Sequence, residues 1–562
     1  MQYVLGNMLN GAGSLNPDGL SLDLQFATDK TLTARKGPTP VFVRGSGATQ
    51  VGAAGLIEYA PENLILRSQE SSFWGITGSA SKISTDSSVA PDGTMTADVV
   101  GFSGASGYLT STVTSVASPV SATISCWVRV ASETALFRLQ IVDAPSPNFT
   151  ATTTWQRFSH TGSLTSSYSG IRAASDGSSS TLEVWGLQVE RSSTARTYIP
   201  TTTAAVYGAR FDHDPVTLAC KGLLIEESRT NSITGSNAFN TWTLANCTVA
   251  ASSVVTPEGT ADAWKIVEDS LTAAHSATRP FAPVSGTTYT ASAWIKSAEN
   301  GFAFVGLTGG GFAATFISVN LSTGAVSTAV GTPIGGASAA YSNGWWRVSF
   351  SLVATSSLSS VVDIRLSRDG LWANRSYLGN GVNGMYCYGS QVEAGSFPTS
   401  YIPTTTASLA RSADVCSITG SAFSNLWNTS GGTFLFEGFL IPSTNINLRM
   451  LSSGGLRRWL YGNQPGVGTV AETLALYDGT STPNYFTNVR IAVKFKMAIS
   501  VEALACKASF NGSAISTASH NGNLLNSVTL LGLFENASGF ITGVKYYRKN
   551  LSNQKLQTLT AP

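Results

Sequence analysis

The feature that most constrains the fold of this chain is a seventeen-residue phrase that occurs twice. It reads QVERSSTARTYIPTTTA at Gln188–Ala204 and QVEAGSFPTSYIPTTTA at Gln391–Ala407, with eleven identical positions and a spacing of 203 residues. Such identity indicates an internal duplication. In each copy a strand-like run precedes Tyr-Ile-Pro, and Pro200 and Pro403 should end the strand because proline has no backbone donor. We therefore predict that the phrase is the last strand of a repeated module, followed by a linker that acts as a hinge.

Shorter landmarks recur in the same order in both repeats. GLIEYAPEN at Gly55–Asn63 corresponds to GLLIEESRTN at Gly222–Asn231, APDGTMTADVV at Ala90–Val100 to TPEGTADAWKIV at Thr256–Val267, ISCWVRV at Ile124–Val130 to ASAWIKS at Ala291–Ser297, and TWQRFSH at Thr154–His160 to GWWRVSF at Gly344–Phe350. Short strand patterns between Gly, Pro, Asn and Asp residues are typical of an all-β sandwich. The predicted boundaries are an N-terminal segment at 1–55, a first module at 56–204, a connector at 205–221, a second module at 222–407 and a C-terminal domain at 408–562.

The composition favours strands and argues against several functions. Only 12% of the residues are charged, against roughly 25% in an average soluble protein. The formal charge of +2 provides no electrostatic basis for binding nucleic acid or an anionic membrane. The six cysteines contain no C-x-x-C pair, which favours free thiols over a zinc site or a disulfide framework. No stretch is continuously apolar over the roughly 20 residues of a spanning helix, so we predict no membrane insertion.

The N-terminal segment is too short to hold a core of its own. Leu20, Leu22, Leu24 and Phe26 alternate with polar residues, as in a strand with one buried face. Such a strand needs a partner, which would be another chain, a neighbouring module or a larger assembly. We interpret these four residues as part of an attachment segment.

The order of the landmarks resembles that of a known group of modules. APDGT, WVRV, WQRF and QVEAGSFPTSYIPTT are similar to phrases in the carbohydrate-binding-module-like jelly rolls of bacteriophage virion proteins. Those jelly rolls occur in tail fibres, receptor-binding proteins and head decoration proteins. FVRGSGATQVGAAGLIEYA at Phe42–Ala60 and RFDHDPVTLACKGLLIEESRTN at Arg210–Asn231 resemble the lead-in to such a module. This resemblance implies that the first module splits the lead-in between Asn63 and Arg210.

The C-terminal region resembles a different sandwich. GGTFLFEGFLIP at Gly431–Pro442 is similar to the opening strand of laminin-G or concanavalin-A-like domains, and Leu530–Leu559 is similar to their later strands and closing segment. Together the resemblances imply an all-β chain. It would consist of an N-terminal virion-attachment segment followed by three β-sandwich domains, two of them jelly rolls and the third laminin-G/concanavalin-A-like.

The resemblance also implies a function and a location. The expected protein is a non-enzymatic component of the virion surface, made in the host cytoplasm, that presents a glycan-binding or receptor-binding tip. Its expected partners are other virion proteins, bound through the N-terminal segment, further copies of the chain with a trimer favoured, and a host-surface glycan. A capsid decoration protein without a glycan ligand and a polysaccharide depolymerase are the alternatives.

No residue pattern predicts catalysis. The chain has four histidines and no Ser–His–Asp or Cys–His arrangement. We interpret Asp212-His213-Asp214 as a solvated turn in which the Asp side chains bond nearby backbone. Glycoside hydrolysis needs two facing carboxylates, but Glu190 and Glu393 recur at equivalent strand ends, which favours a structural role. We predict no catalytic residue, no cofactor and no metal.

The duplication separates shared aromatic residues from unshared ones. The shared pairs are Trp74/Trp242, Trp127/Trp294, Trp155/Trp345 and Trp185/Tyr388, and we expect them to lie in the cores. The unshared candidates are Trp372, Arg375 and Tyr377 in one loop of the second module, and Arg457, Arg458, Trp459 and Tyr461 in the C-terminal domain. Aromatic rings flanked by hydrogen-bond donors suit a sugar face or a protein interface, so both interpretations stay open.

Overall fold

The computed structural model describes residues 19–114, 120–141, 144–164, 168–441, 448–453, 456–457, 459–462, 473–476, 484–486, 494–519, 528–535 and 538–562. Strands are numbered below by their order along the chain. The predicted all-β class is confirmed, since antiparallel sheets dominate the structure. Within these ranges the helices are α1 (Phe26–Asp29), α2 (Gly420–Leu426) and α3 (Asn553–Thr560). None of these helices is long and apolar enough to cross a membrane.

Two sheets enclose the core of the first module. One contains β14 (Gln156–Leu164), β10 (Val120–Arg129), β16 (Ser180–Glu190), β8 (Ala97–Phe102) and β7 (Ala80–Ser88), in that order. The other contains β12 (Ala144–Pro145), β11 (Ala135–Ile141), β15 (Tyr168–Ala173), β9 (Tyr108–Thr112) and β6 (Gly75–Thr77), with β13 (Phe149–Ala151) also on β11. Ala122, Ile124, Cys126 and Val128 alternate along β10 and are completely buried in this core. The period of two along a strand explains why these residues share one face.

The second module repeats the arrangement around its own core. One sheet contains β21 (Thr243–Ala245), β25 (Ser276–Phe281), β32 (Ser360–Ser367), β27 (Phe302–Gly309), β28 (Phe312–Asn320) and β29 (Val326–Val330). The other contains β22 (Cys247–Ala251), β23 (Trp264–Glu268), β34 (Gly384–Ala394), β26 (Thr288–Ser297), β31 (Trp346–Val353) and β30 (Ile334–Ala340). A short ladder joins β24 (Thr272–Ala273) to β33 (Tyr377–Leu378). The duplication extends to the register, because Trp127 pairs with Trp185 as Trp294 pairs with Tyr388, each next to the same irregularity.

The third core is assembled from separate parts of the chain, and we call this unit the composite sandwich. One sheet contains β18 (Arg210–His213), β19 (Cys220–Ile225), β47 (Gly539–Tyr547), β37 (Gly432–Leu440), β43 (Phe495–Val501), β44 (Ala505–Phe510) and β45 (Ser516–Ser519), with β1 (Leu20–Leu24) also on β47. The other contains β2 (Val41–Val43), β36 (Val415–Thr419), β46 (Leu530–Glu535), β38 (Leu448–Ser453), β40 (Trp459–Gly462), β41 (Thr473–Leu476) and β42 (Asn484–Phe486), with β39 (Leu456–Arg457) on β38. The N-terminal segment, the connector and the C-terminal region therefore share one core.

The N-terminal segment corrects one interpretation made from the sequence. Leu24 of β1 pairs with Val544 of β47, and Leu22, Leu24 and Phe26 are completely buried in the composite core, whereas Leu20 is half-buried. Side chains packed inside the chain's own core cannot contact another molecule, so Leu22, Leu24 and Phe26 are not attachment residues. Of the partners considered for this strand, the structure selects a unit of the same chain.

Both modules are insertions in the composite sandwich. The chain leaves for the first module through β5 (Glu62–Asn63) and returns through β17 (Val206–Tyr207), and these strands pair. It leaves for the second module through β20 (Arg229–Asn231) and returns through β35 (Leu409–Arg411), which also pair. A further hairpin, β3 (Thr49–Val51) with β4 (Ile57–Tyr59), precedes the first insertion. Each module is therefore anchored at both ends by adjacent strands.

The duplicated phrase closes each module against its own first residues. The Asn63 side-chain amide donates to the Ile199 carbonyl at 2.8 Å, and its Oδ1 accepts from the Val189 amide at 3.1 Å. Asn231 makes the same bonds in the second module, donating to Ile402 at 2.9 Å and accepting from Val392 at 3.1 Å. The predicted hinge is wrong, because buried side-chain hydrogen bonds fix the phrase to the base of the module.

Candidate functional site

The predicted loop of the second module brings Trp372 and Arg375 together. The Trp372 ring lies over the outer face of the β27–β28 ladder, with its centroid 4.6 Å from that of Phe316 and 5.4 Å from that of Phe304. The Arg375 guanidinium carbon lies 4.9 Å from the Trp372 centroid, and that of Arg365 lies 5.4 Å away. Trp372 is half-buried, whereas the two phenylalanines beneath it are buried. The arrangement is a cation–π stack that covers an apolar patch and leaves part of the indole open to solvent.

Tyr377 belongs to a different cluster. Its hydroxyl donates to Glu268 Oε2 at 2.7 Å and accepts from Asn300 Nδ2 at 3.2 Å. Its ring lies 4.8 Å from that of His275, and the guanidinium of Arg368 lies 4.6 Å from its centroid. Burial and the adjacent Glu268 carboxylate raise the pKa of Tyr377 well above its ordinary value. Tyr377 thus ties the loop to β23 and does not share a ligand surface with Trp372.

The packing of Trp372 leads to a prediction for stability. Trp372→Ala would uncover Phe304 and Phe316, and we expect it to lower the free energy of unfolding by about 2 kcal/mol, less than the ~3–5 kcal/mol of a fully buried tryptophan. Trp372→Phe keeps a ring at this position and should cost less. Denaturant unfolding monitored by near-UV circular dichroism measures the change. Unaltered stability in Trp372→Ala would show that the indole is a free platform.

The predicted set in the C-terminal domain cannot be placed in the same detail. Arg457 is in β39, and Trp459 and Tyr461 are in β40. Their side chains, and Arg458 as a whole, lie outside the described residues.

The acidic residues considered for catalysis are used within the fold. Glu190 accepts from the Arg196 amide and pairs with its guanidinium at 2.6 Å, while Glu393 accepts from the Thr399 amide and hydroxyl. Asp214 forms the predicted turn by accepting from the amides of the two residues after Pro215, at 3.0 and 2.7 Å. No group of three or more His, Cys, Asp or Glu residues that could hold a metal ion occurs in the part of the chain that the structure describes.

The structure corrects the interpretation of Asp212 and His213 as part of a solvated turn. Asp212 and His213 are buried, not solvated. Asp212 Oδ1 accepts from the Val51 amide at 2.7 Å, and its other oxygen pairs with Lys221 at 2.6 Å. These contacts attach the β18–β19 hairpin of the composite sandwich to β3, so the cluster anchors the β3–β4 hairpin to the sandwich.

A buried cluster of five charged residues lies where the chain passes between the composite sandwich and the modules. It consists of Arg44, Arg210, Glu226, Arg411 and Asp414, which we call the junction cluster, and none of these residues is more than 5% exposed. Each of the four passages into or out of a module contributes to it. Arg44 and Arg210 flank the first module, whereas Glu226 precedes the second and Arg411 and Asp414 follow it.

The ion pairs of the junction cluster form one connected chain. Arg210 bonds both acids, Glu226 at 2.6 Å and also Asp414. Arg44 pairs with Asp414 at 2.9 Å, and Arg411 pairs with Glu226 at 3.0 Å. Because the five charges are linked in this way, displacing any passage takes at least one ion-pair partner away from a charge that stays buried.

The junction cluster also reaches into the second module and the hairpin before the first. Arg210 Nη1 donates to Ser400 Oγ at 2.7 Å and to the Thr49 carbonyl at 3.1 Å. The Ser400 amide donates to Glu226 Oε1 at 2.7 Å. Ser400 lies inside the second copy of the duplicated phrase, so the phrase connects its module to the cluster.

Burial and charge shift the pKa values in the cluster. Desolvation lowers the pKa of Arg44 to about 10, although Asp414 opposes the shift. For Glu226, burial alone would raise the pKa, but the guanidinium groups of Arg411 and Arg210 hold it well below its ordinary value. Glu226 is therefore ionised in the folded chain at neutral pH.

This lowered pKa makes stability depend on pH. In the unfolded chain Glu226 binds a proton near its ordinary pKa of about 4.3, whereas in the folded chain it does not. The unfolded state thus binds more protons in this window, and the contribution of Glu226, fully present above about pH 5, is lost as the pH falls further. We expect the stability gap between wild type and Glu226→Gln to be wide at pH 7 and to narrow below about pH 4.

Urea midpoints measured from pH 7 to pH 3 would test this. Glu299→Gln removes a carboxylate that is 43% exposed and paired with Lys265, so it is the matched control and should change little at either pH. A gap for Glu226→Gln that stays constant with pH would contradict the account.

The sequence contains one pattern that could have predicted two arginines of the junction cluster. An Ala-Arg pair follows the three threonines of each phrase, as Ala209-Arg210 and as Ala410-Arg411. No comparable sequence pattern distinguishes the acidic partners, Glu226 and Asp414.

In comparisons with known proteins, no protein-family model and no curated protein matches this chain.

Proposed function

We propose that this protein is a non-enzymatic structural protein of the bacteriophage virion surface. In this proposal the composite sandwich holds the two modules in fixed positions, and the modules present binding surfaces to a host-surface glycan or to neighbouring virion proteins. The phage context is supported by the resemblance of the repeated landmarks to virion modules.

The observation that carries the scaffold role is the junction cluster. Arg210, the acids that it bonds and the two outer arginines connect all four passages between modules and composite sandwich. A buried network of this kind favours one geometry. Its charges have already lost their hydration, so separating a pair removes the attraction that compensates for that loss. Fixed modules suit a protein that displays surfaces, whereas a domain-closing enzyme needs a joint that moves.

The candidate glycan contact is the stack of Trp372 with Arg375 and Arg365. A partly open indole edge beside two guanidinium groups presents an apolar surface and several hydrogen-bond donors, which is the chemistry that a sugar ring requires. Arg375 is exposed, and its guanidinium also donates to the Trp372 carbonyl at 3.1 Å, so thermal stability must be measured beside binding when Arg375 is replaced.

Two measurements on the full-length protein test the proposal. Antibody labelling of purified particles should locate the chain on their surface, and its absence from particles would contradict the virion role. Incubation with host-surface polysaccharide should release no new reducing ends, whereas release would support the depolymerase alternative.

A glycan array separates the adhesin from the decoration protein. Binding by wild type that Arg375→Ala weakens about tenfold, with unchanged thermal stability, would support glycan recognition through this stack. No binding to any glycan by a chain that is present on particles would favour decoration alone.

A further inference from the structure

The duplication gives each module an equivalent aromatic face. In the second module it consists of Trp294, Trp345, Tyr388 and Tyr401, which we call the covered face. In the first module it consists of Trp127, Trp155, Trp185 and Tyr198, which we call the open face. An arginine stacks on each central indole at a similar distance, Arg157 at 4.3 Å from Trp127 and Arg347 at 4.5 Å from Trp294. Trp155 and Trp345 also make matching bonds, each donating its Nε1 to a valine carbonyl, at 3.0 and 2.8 Å.

The covered face is occupied by the β3–β4 hairpin, which precedes the first insertion. Ile57 of β4 belongs to the same hydrophobic cluster as the four rings. Its amide donates to the Pro257 carbonyl at 2.9 Å, in the turn that edges the face. A Cβ on Gly259 of that turn would lie 2.9 Å from Leu56 Cδ1. The four rings are consequently no more than 5% exposed.

The open face has the same turn, but among the described residues no segment equivalent to the β3–β4 hairpin belongs to its cluster. Ala90 donates to the Thr94 carbonyl at 2.8 Å, as Thr256 donates to that of Thr260 at 2.8 Å. Gly93 corresponds to Gly259, yet no atom of the described residues lies within 4 Å of where its Cβ would stand.

Residues of the open face are more exposed than their counterparts on the covered face. Pro91 is exposed, whereas its counterpart Pro257 is buried. Trp127, Trp155 and Tyr198 are half-buried, whereas their counterparts in the second module are all buried. No hydrogen bond within the described ranges reaches the carbonyl of Pro91, the group equivalent to the acceptor that Ile57 uses.

We infer that the open face is a docking site for an extended segment of another polypeptide. That segment would present two consecutive aliphatic residues and a backbone N–H, as Leu56 and Ile57 do on the second module. The aliphatic side chains would cover Trp127, Trp155 and Tyr198, and the N–H would bond the Pro91 carbonyl. Peptide strands bind in this way when main-chain bonds add to side-chain pockets.

The occupant is a polypeptide because the only occupant of the equivalent face in the described structure is one. The edges of the two faces differ, so the residues that flank the aliphatic pair would differ, whereas the aliphatic pair itself is the feature that both faces require. Arg129 lies 4.8 Å from the Trp155 centroid and pairs with Glu183 at 2.7 Å, whereas the equivalent positions are Lys296 and Tyr386 in the second module. This inference is independent of the virion assignment, since it rests on the comparison of the two faces.

A labelled peptide with the sequence of residues 52–60, GAAGLIEYA, is the probe, and its binding to the full-length protein is followed by fluorescence anisotropy. The blocking variant is Gly93→Asn, which places a side chain where the aliphatic residue would lie and which asparagine tolerates at the φ of +86°. Gly381→Asn is the matched control, because Gly381 also has a positive φ and no described atom near its Cβ position.

We expect wild type and Gly381→Asn to bind the peptide equally and Gly93→Asn to raise the Kd about tenfold or more. A peptide with serine at the positions of Leu56 and Ile57 should bind as weakly. Thermal unfolding of both variants separates lost binding from lost folding. No binding to wild type, or equal binding to Gly93→Asn, would overturn the inference, as would a glycan that binds this face when the peptide does not.

Discussion

Replacing Arg210 with alanine should lower the free energy of unfolding of the composite sandwich by about 3–5 kcal/mol. The Arg210 side chain is completely buried, and its removal leaves Glu226 and Asp414 with one guanidinium each. It also removes a donor to Ser400, so the second module should loosen against the sandwich. The change is measured by denaturant unfolding.

Arg35→Ala is the matched control, because Arg35 makes a well-formed ion pair with Asp29 at the surface, with its side chain 49% exposed. Exposed pairs contribute little, and we expect almost no change. If the two variants lost similar stability, the junction cluster would not hold the modules and the scaffold proposal would lose its main support.

Phe26→Ala should lower the free energy of unfolding by a similar amount, about 3–5 kcal/mol, although β47, one of the strands against which its helix packs, begins only at Gly539. Phe26 follows β1 and is completely buried in the composite core, where α1 packs against β19 and β47 and the Phe26 ring lies 6.5 Å from that of Phe211 in β18. Deleting residues 1–36 should go further and prevent the composite sandwich from folding, because it also uncovers half of one edge of β47.

Val41→Ala is the control, since Val41 is in the same N-terminal segment but is 61% exposed. A deletion variant that still unfolded cooperatively with native stability would show that the N-terminal strand is peripheral.

The same deletion cannot be used to test whether the N-terminal segment attaches the chain to particles. Failure of such a variant to join particles would report loss of folding and would not identify a contact with a neighbouring protein.

The sequence predicted the features that repeat. Eleven shared positions indicated the duplication. Of the shared aromatic pairs predicted to lie in the cores, only Trp74/Trp242 does, because the other three pairs form separate aromatic clusters outside the module cores. Alternation predicted that Leu22 and Leu24 lie on a buried face of a strand, and they do. The alternation of apolar and polar residues therefore predicted both that this segment is a strand and which of its faces is buried, because both depend on neighbouring residues along the chain.

The partner of each strand could not be predicted in the same way. Nothing in the residues of β1 specifies β47 as its neighbour, because the edge that it covers is formed by residues more than 500 positions later. Trp372 was predicted as a glycan- or partner-binding candidate, and its packing on Phe304 and Phe316 could not be predicted because it depends on a loop folding back over the sheet. The junction cluster was missed because its five members come from distant segments.

The central claim is that the composite sandwich is one folding unit made from three parts of the chain, with the modules as insertions. It is tested most directly by calorimetry of a chain in which residues 64–205 are replaced by Asn-Gly. Asn63 and Val206 pair across β5 and β17, so a two-residue turn joins them without strain. We expect this chain to keep the unfolding transition of the composite sandwich and to lose only that of the first module, while the fragment 408–562 shows no cooperative transition. Cooperative unfolding of the fragment alone, or loss of the composite transition on excision, would contradict the account.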